Sequence, residues 1–307
     1  MSIGSASELA ARPRVVPAAP LVRKSPNPLN AAFVRTYRNP LGFFGLLILG
    51  LLVIGALAAP LISPYNPVAQ HQGKELLGPS GEFWLGTDEL GRDLLSRVIY
   101  GARPSLVVAL MVVVIGGGLG IVAGLAAGYL GGWVNALLMR IFDAMFAFPP
   151  ILLGFVIIAA LGPGTTQVAY AIALAVVPSL GRVARSLVLK ERYRDYVLAA
   201  RCTGAGTGRV MFLHVLPNAV SPMIVNLALL MGFSVLAEAS LAFLGLGTQP
   251  PTPSWGAMLN ESRAYLRNDP WMAICPGVVL ALLLLGLNYL ADALREAFDP
   301  RRVNAGF

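Results

Sequence analysis

Few side chains in this sequence are of types that do chemistry, and their spacing rules out most of it. His71 and His214 are the only histidines, 143 positions apart, and Cys202 and Cys275 the only cysteines. A metal site needs three or four ligands converging, and a shared acid-base pair needs a partner within reach. No metal site and no catalytic residues are expected, and therefore no enzymatic activity. The one Gly-Lys pair, Gly73-Lys74, is followed by Glu75 rather than Ser or Thr. It lacks the Gly-rich approach that cradles phosphates. What remains are charges inside long apolar runs, each costing about 2.5–3.5 kcal/mol at the centre of a membrane helix. Arg140 and Asp143, three apart, are expected to pair. Glu238 stands alone, suited either to a water-filled translocation path or to the membrane interface.

The second candidate is a polar segment, DYVLAARCTGAGTGRVMFLHVLPN, from Asp195 to Asn218. Lys190 to Thr203 can form a helix carrying Tyr196, Ala199 and Ala200 near one face. Gly204, Gly206 and Gly208 should break it, since glycine is a poor helix-interior residue. Val210 to Val215 can form a second short helix, and Pro217 suits the first turn of the next apolar run. Helix, turn and short helix, held at both ends, make a stiff projection shaped for docking.

The elements that hold these groups are membrane helices. Of 307 residues, 56% are hydrophobic and 12% charged, and the mean hydropathy is +0.71. Soluble domains carry about 25% charge. Six runs are long enough to cross a hydrocarbon core about 30 Å thick: roughly 42–62, 105–129, 134–160, 166–187, 218–244 and 271–291. The expected fold is all-α, a polytopic helical membrane protein with six transmembrane helices. Residues 1–40 read as a disordered basic tail, 41–62 as the first helix, and 63–104 as an outer loop with an amphipathic helix. Residues 105–293 read as the core, with a cytosolic loop at 188–217, and 294–307 as a second tail.

The net charge of +8 could suggest nucleic acid, but in such a chain the placement of Lys and Arg matters more than their sum. No nucleic-acid partner is expected. Sixteen basic residues fall in the N-terminal tail, the 182–217 segment and the C-terminal end, against six on the opposite side. The positive-inside bias puts both termini and the polar segment in the cytosol. It also puts Cys202 and Cys275 on opposite sides, so no disulfide is expected.

Gly116, Gly120, Gly124 and Gly128 recur every four residues along the second run. Such a stripe lets another helix approach backbone to backbone. On the outer side, LGTDELGRDLLSRVIYGARPSL (85–106) opens with Thr87 and Asp88, good N-cap residues. Apolar residues follow at helical spacing, with Asp93 and Arg97 four apart. This reads as an amphipathic helix, lying on the outer surface or packed against the spans as support. In the 245–270 loop, Trp255 is placed to anchor at the interface.

The segment 195–218 resembles the cytoplasmic loop of bacterial ABC-importer permeases, whose pattern is E-A-A-x-x-x-G, nine residues, then I-x-L-P. Here Leu198, Ala199, Ala200, Gly204, His214, Leu216 and Pro217 take those places, with Leu198 for the usual Glu and His214 for Ile. The stretches 85–106, GYLGGWVNALLMRIFDAMFAFPP (128–150), LAFLGLGTQPPTPSWGAML (241–259) and LADALREAFDP (290–300) are similar to the dipeptide, oligopeptide, glutathione and nickel branch, of the second-permease type. The resemblance covers about residues 40–302.

It implies a permease subunit in a bacterial inner membrane, importing dipeptides, oligopeptides or glutathione, or else nickel or another small ligand. The implied partners are a second homologous permease, two cytosolic ATPase subunits that bind ATP and Mg, a periplasmic or lipid-anchored substrate-binding protein, and membrane lipid. No cofactor is implied for this chain itself. The loop around Ala199, Ala200 and Gly204 would couple it to the ATPases. A self-sufficient channel or secondary transporter is the alternative of a different class.

Overall fold

The computed structural model describes residues 28–298. Helix α1 spans Pro28–Arg38, so the expected unstructured tail gives way to a helix before residue 40; residues 1–27 lie outside the described residues. Asn39 follows as N-cap, its side chain accepting from the N–H groups of Leu41 and Gly42, with Pro40 in the first turn of α2 (Pro40–Leu57). α3 (Ala59–Ile62) is a single turn.

After a long loop come α4 (Leu94–Met111), a wide π-helical turn at Val112–Gly117 and α5 (Gly118–Leu130). These form one unbroken helix of 37 residues. α6 (Gly132–Phe146) and α7 (Pro150–Leu161) follow, then α8 (Thr165–Glu191), α9 (Asp195–Cys202) and α10 (Thr207–Arg209). A second π-helical turn, Val210–Val215, runs directly into α11 (Leu216–Phe243). α12 (Trp255–Ser262) and α13 (Trp271–Ala297) complete the described residues, among which no strand occurs.

Five of these helices are long and apolar enough to cross a membrane, and α6 with α7 makes a sixth crossing if that bent pair counts as one. The third span is therefore not the single helix expected over 134–160. It breaks at Ala147–Pro149 and turns through 89°, because consecutive Pro149 and Pro150 remove two helix donors. The last span runs on to Ala297, past the expected boundary at 293. Residues 299–307 are outside the described residues.

Between apolar helices in lipid, packing rather than water exclusion sets the contacts, so small residues appear where backbones meet. α5 lies along α8 on the glycine stripe. A β-carbon at Gly116 would stand 2.6 Å from the Ala173 carbonyl oxygen, at Gly120 3.0 Å from that of Val177, and at Gly128 2.9 Å from that of Arg185. At Gly124 it would strike the Gly181 carbonyl. Gly45 on α2 meets the backbone of α13 at Gly286 and Leu290 in the same way.

The segment 85–106 does not lie on the surface as an independent amphipathic helix; it packs against the spans as support, the other expectation. From Leu94 it is the beginning of the second span and is buried, Ser96 and Arg97 included. The apolar spacing that suggests a membrane face suits equally a helix clasped by protein, and here α2, α11, α12 and α13 clasp it. The cap is Asp93, not Thr87 or Asp88: its Oδ2 accepts from the Ser96 N–H at 2.8 Å and from the Ser96 hydroxyl at 2.6 Å. With Asp93 so engaged, Arg97 turns instead to Glu261 (2.8 Å) and Asp88 (3.1 Å). Arg92 joins the same group at Asp88 (2.6 Å) and Glu89 (3.0 Å). Trp255 is not an interface anchor. It is fully buried, its Nε1 donating to the Val98 carbonyl at 2.9 Å, in the space left by Gly101.

Candidate functional site

The polar segment folds against the adjoining ends of α5, α8 and α11. α8 stops at Glu191 and the chain turns at Arg192–Arg194, so the single helix expected over 190–203 is two. Val197 is the residue of α9 that enters the core, fully buried among Leu125, Tyr129, Ala184, Val188, Val210 and Met223. That one anchor fixes the roll of the helix. Leu198 and Ala199 are exposed, while Ala200 is half-buried against the same cluster. Arg201 reaches back, its Nε donating to the Tyr129 hydroxyl at 3.2 Å and its guanidinium lying 5.0 Å from the Tyr129 ring centroid. The Tyr196 hydroxyl donates to Glu191 at 2.8 Å. Burial, followed by that carboxylate, pushes the phenol pKa up to about 12.

The turn after α9 is specific. Gly204 has φ +81°, where a side chain is disfavoured. Its N–H bonds the Arg201 carbonyl at 2.9 Å, and the N–H of Ala205 bonds the Ala200 carbonyl at 3.1 Å. These are the two bonds of a Schellman motif. Of the three glycines read as breakers, only Gly204 needs its conformation; Gly206 precedes α10 and Gly208 lies within it.

Val210–Val215 is no separate helix, while Pro217 lies in the first turn of α11 as expected. The helix runs through both, widened to π geometry just before the proline. Pro217 offers no N–H to the preceding turn, and the wider spiral accommodates that loss. Widened turns of this kind have no sequence rule as plain as the Gly cap. His214 is half-buried on this turn, and Leu216 is half-buried against the Val197 cluster. Phe212 and Leu213 project outward, 49% and 64% exposed, as does Tyr193 at 65%. The segment thus presents an apolar outer face on a firmly seated base.

Glu238 lies elsewhere, on α11, and is buried within the chain, not at its surface. One oxygen accepts from the Ser105 hydroxyl of α4 at 2.8 Å, and the other has no hydrogen-bond partner. Arg140 and Asp143 do not pair: Asp143 bonds Arg182 of α8, and Arg140 is exposed. Arg182, Arg185 and Lys190, counted with the 182–217 segment, belong to α8, and the basic bias keeps its sign without them. Cys202 and Cys275 are both free, the first exposed and the second buried. The sequence held no signal for the Ser105–Glu238 contact or for the Arg97–Glu261 bridge, since both join helices far apart in the chain.

A bundle of spanning helices, glycine-sealed, with a small rigid helix carried on one end, is the architecture of a transport permease. Comparison with known proteins is specific on this point. Residues 120–304 match the family described as binding-protein-dependent transport system inner membrane component. Residues 27–79 match the N-terminal TM domain of oligopeptide transport permease C. The chain belongs to this family of ABC-importer permeases.

It is 44% identical over 286 residues to the di/tripeptide transport system permease protein DppC of Pseudomonas aeruginosa, covering 91% of this chain and 94% of that one. It is 42% identical over 275 residues to the dipeptide transport system permease protein DppC of Alkalihalophilus pseudofirmus, covering 90% of each. It is also 41% identical over 258 residues to the glutathione transport system permease protein GsiD of Pectobacterium atrosepticum, covering 84% and 85%.

Proposed function

We propose that this chain is one of two membrane subunits of an ATP-driven importer of short peptides, glutathione among them, in a bacterial inner membrane. Two cytosolic ATPases would supply the energy, and an external binding protein would deliver the ligand. The observation that carries the coupling role is the seating of α9. Val197 anchors it, the Gly204 turn fixes it, and its outer face of Leu198 and Ala199 is left for a partner groove, with Phe212 and Leu213 exposed on the π turn nearby. Helix-in-groove docking uses small and apolar contacts of this kind. The names of the relatives favour peptides over nickel. The bias of Lys and Arg supports cytosolic termini.

ATP-driven closure of the ATPases would then move α9, and with it the inner ends of α5, α8 and α11. The test is to tag the chain, extract it gently and identify its stoichiometric companions. A second permease with two ATPases, and peptide uptake that requires all of them, is the expected result. A chain that purifies alone and still transports would overturn the reading.

A further inference from the structure

Asp143 on α6 and Arg182 on α8 form an ion pair whose side chains are 57% and 45% exposed. The Arg182 guanidinium also lies 4.3 Å from the ring centroid of Phe146. Nearer the start of α6, Arg185 donates to Asn135 across the same two helices. At about 1.5 Å rise per residue, Asp143 stands roughly 16 Å along α6 from Gly132, within the bent α6–α7 pair that makes the third candidate span. Charges at that depth face water or protein rather than lipid.

The backbone beside them makes the same demand. Between Phe146 and Pro150 the helix is broken and turned by 89°, and Ala147, Phe148, Pro149 and Pro150 are all exposed. Irregular backbone within a membrane is tolerated where protein covers it or where it borders a water-filled cavity. An exposed opposite-charge pair and an exposed helix break, one turn apart, mark one strip of this chain that either water or a partner subunit must face.

We propose that this strip lines the translocation path and receives the two charged ends of a free peptide. The Asp143 carboxylate takes the terminal ammonium and the Arg182 guanidinium takes the terminal carboxylate. A zwitterion gives each member of the pair a replacement for the partner it releases. The pair can then open without leaving a lone charge at membrane depth, and it closes again behind the peptide. This rests on the short-peptide reading above.

The test uses the whole complex with its partner permease, ATPases and binding protein in lipid nanodiscs, in a Cys202→Ser background. Ala144→Cys, exposed beside Asp143, is compared with Leu51→Cys, exposed on the apolar α2. Labelling of this chain by a charged, membrane-impermeant thiol reagent is followed by mass spectrometry. The Ala144→Cys site should label roughly tenfold faster than the Leu51→Cys site, because a charged reagent is excluded from hydrocarbon. Saturating dialanine should slow it severalfold, while N-acetyl-dialanine amide should not. Asp143→Asn or Arg182→Gln should each abolish the protection without changing recovery of the complex.

Slow labelling at Ala144→Cys would mean that lipid or the second permease covers the strip, and would overturn the proposal. Fast labelling with no protection by dialanine, or equal protection by the blocked peptide, would overturn it as well. A chain that purifies without ATPases fails the reading of function instead, so the two failures are told apart.

Discussion

The N–H of Ala205 donates to the carbonyl of Ala200 at 3.1 Å, closing the turn in which Gly204 sits at φ +81°. The short pattern A-A-x-x-x-G is thus the last turn of a helix with its cap. Ala200 supplies the capped carbonyl, and the glycine supplies the left-handed residue that ends the helix.

Gly204→Val should leave the bundle folded and weaken the coupling. A β-carbon there meets nothing within 4 Å, so the cost is backbone strain alone, about 1–2 kcal/mol. The complex should still assemble, with peptide-stimulated ATP hydrolysis falling roughly tenfold for a cost of about 1.4 kcal/mol. Comparing ATPase rates and ATPase recovery on a tagged permease checks this. Loss of the whole complex would show the turn to be a folding requirement instead.

Gly124→Leu should prevent α5 from reaching α8, since even a β-carbon strikes the Gly181 carbonyl and the Ala184 methyl. Overpacking of this kind costs typically about 1–3 kcal/mol or more. Gly50→Ala, with nothing within 4 Å, should be neutral or mildly stabilising through helix propensity. Thermal unfolding of the two purified variants should separate them clearly.

Ser105→Ala should cost more than Glu238→Gln. The first leaves a buried carboxylate with no hydroxyl to bond, a loss of about 1–3 kcal/mol. The second keeps an acceptor for Ser105 and removes a buried acid. Denaturation midpoints of both variants give the comparison.

Glu261 makes the outer ion group sensitive to pH. Burial raises its pKa above the ordinary carboxylate value, with Arg97 next in size and acting the other way. A raised folded-state pKa contributes stability that is fully present below the unfolded pKa and lost as pH rises through the folded one. On acidification from neutral, the melting temperature of the wild type should therefore rise relative to Glu261→Gln, and level off below the ordinary carboxylate range. A constant difference across that window would contradict the assignment.

Much of this architecture is legible in the sequence because single residues report it locally. Runs of twenty apolar residues announce spans, four-residue glycine spacing announces a close helix contact, and a lone Gly after two alanines announces the end of α9. What stayed hidden depended on residues distant in the chain. Asp93 and Arg97 have the spacing of a helix pair, yet Ser96 captures the first while Glu261, 164 residues away, captures the second. Arg140 and Asp143 are separated in the same way by Arg182. The break at Pro149–Pro150 is written in the sequence, but hydropathy alone runs straight across it. Trp255 reads as an interface residue until Gly101 provides a place for it inside.

The helix from Leu94 to Leu130 joins the two ends of this molecule as a single strut. At about 1.5 Å per residue its 37 residues extend roughly 55 Å. One end holds Tyr129, gripped by Arg201 of α9; the other holds Arg97, gripped by Glu261. A push delivered at Tyr129 therefore reaches the loops at the opposite end along one hydrogen-bonded rod, without crossing a flexible connection. The only non-α stretch in that rod is the wide turn at Val112–Gly117, and the helix continues through it unbroken.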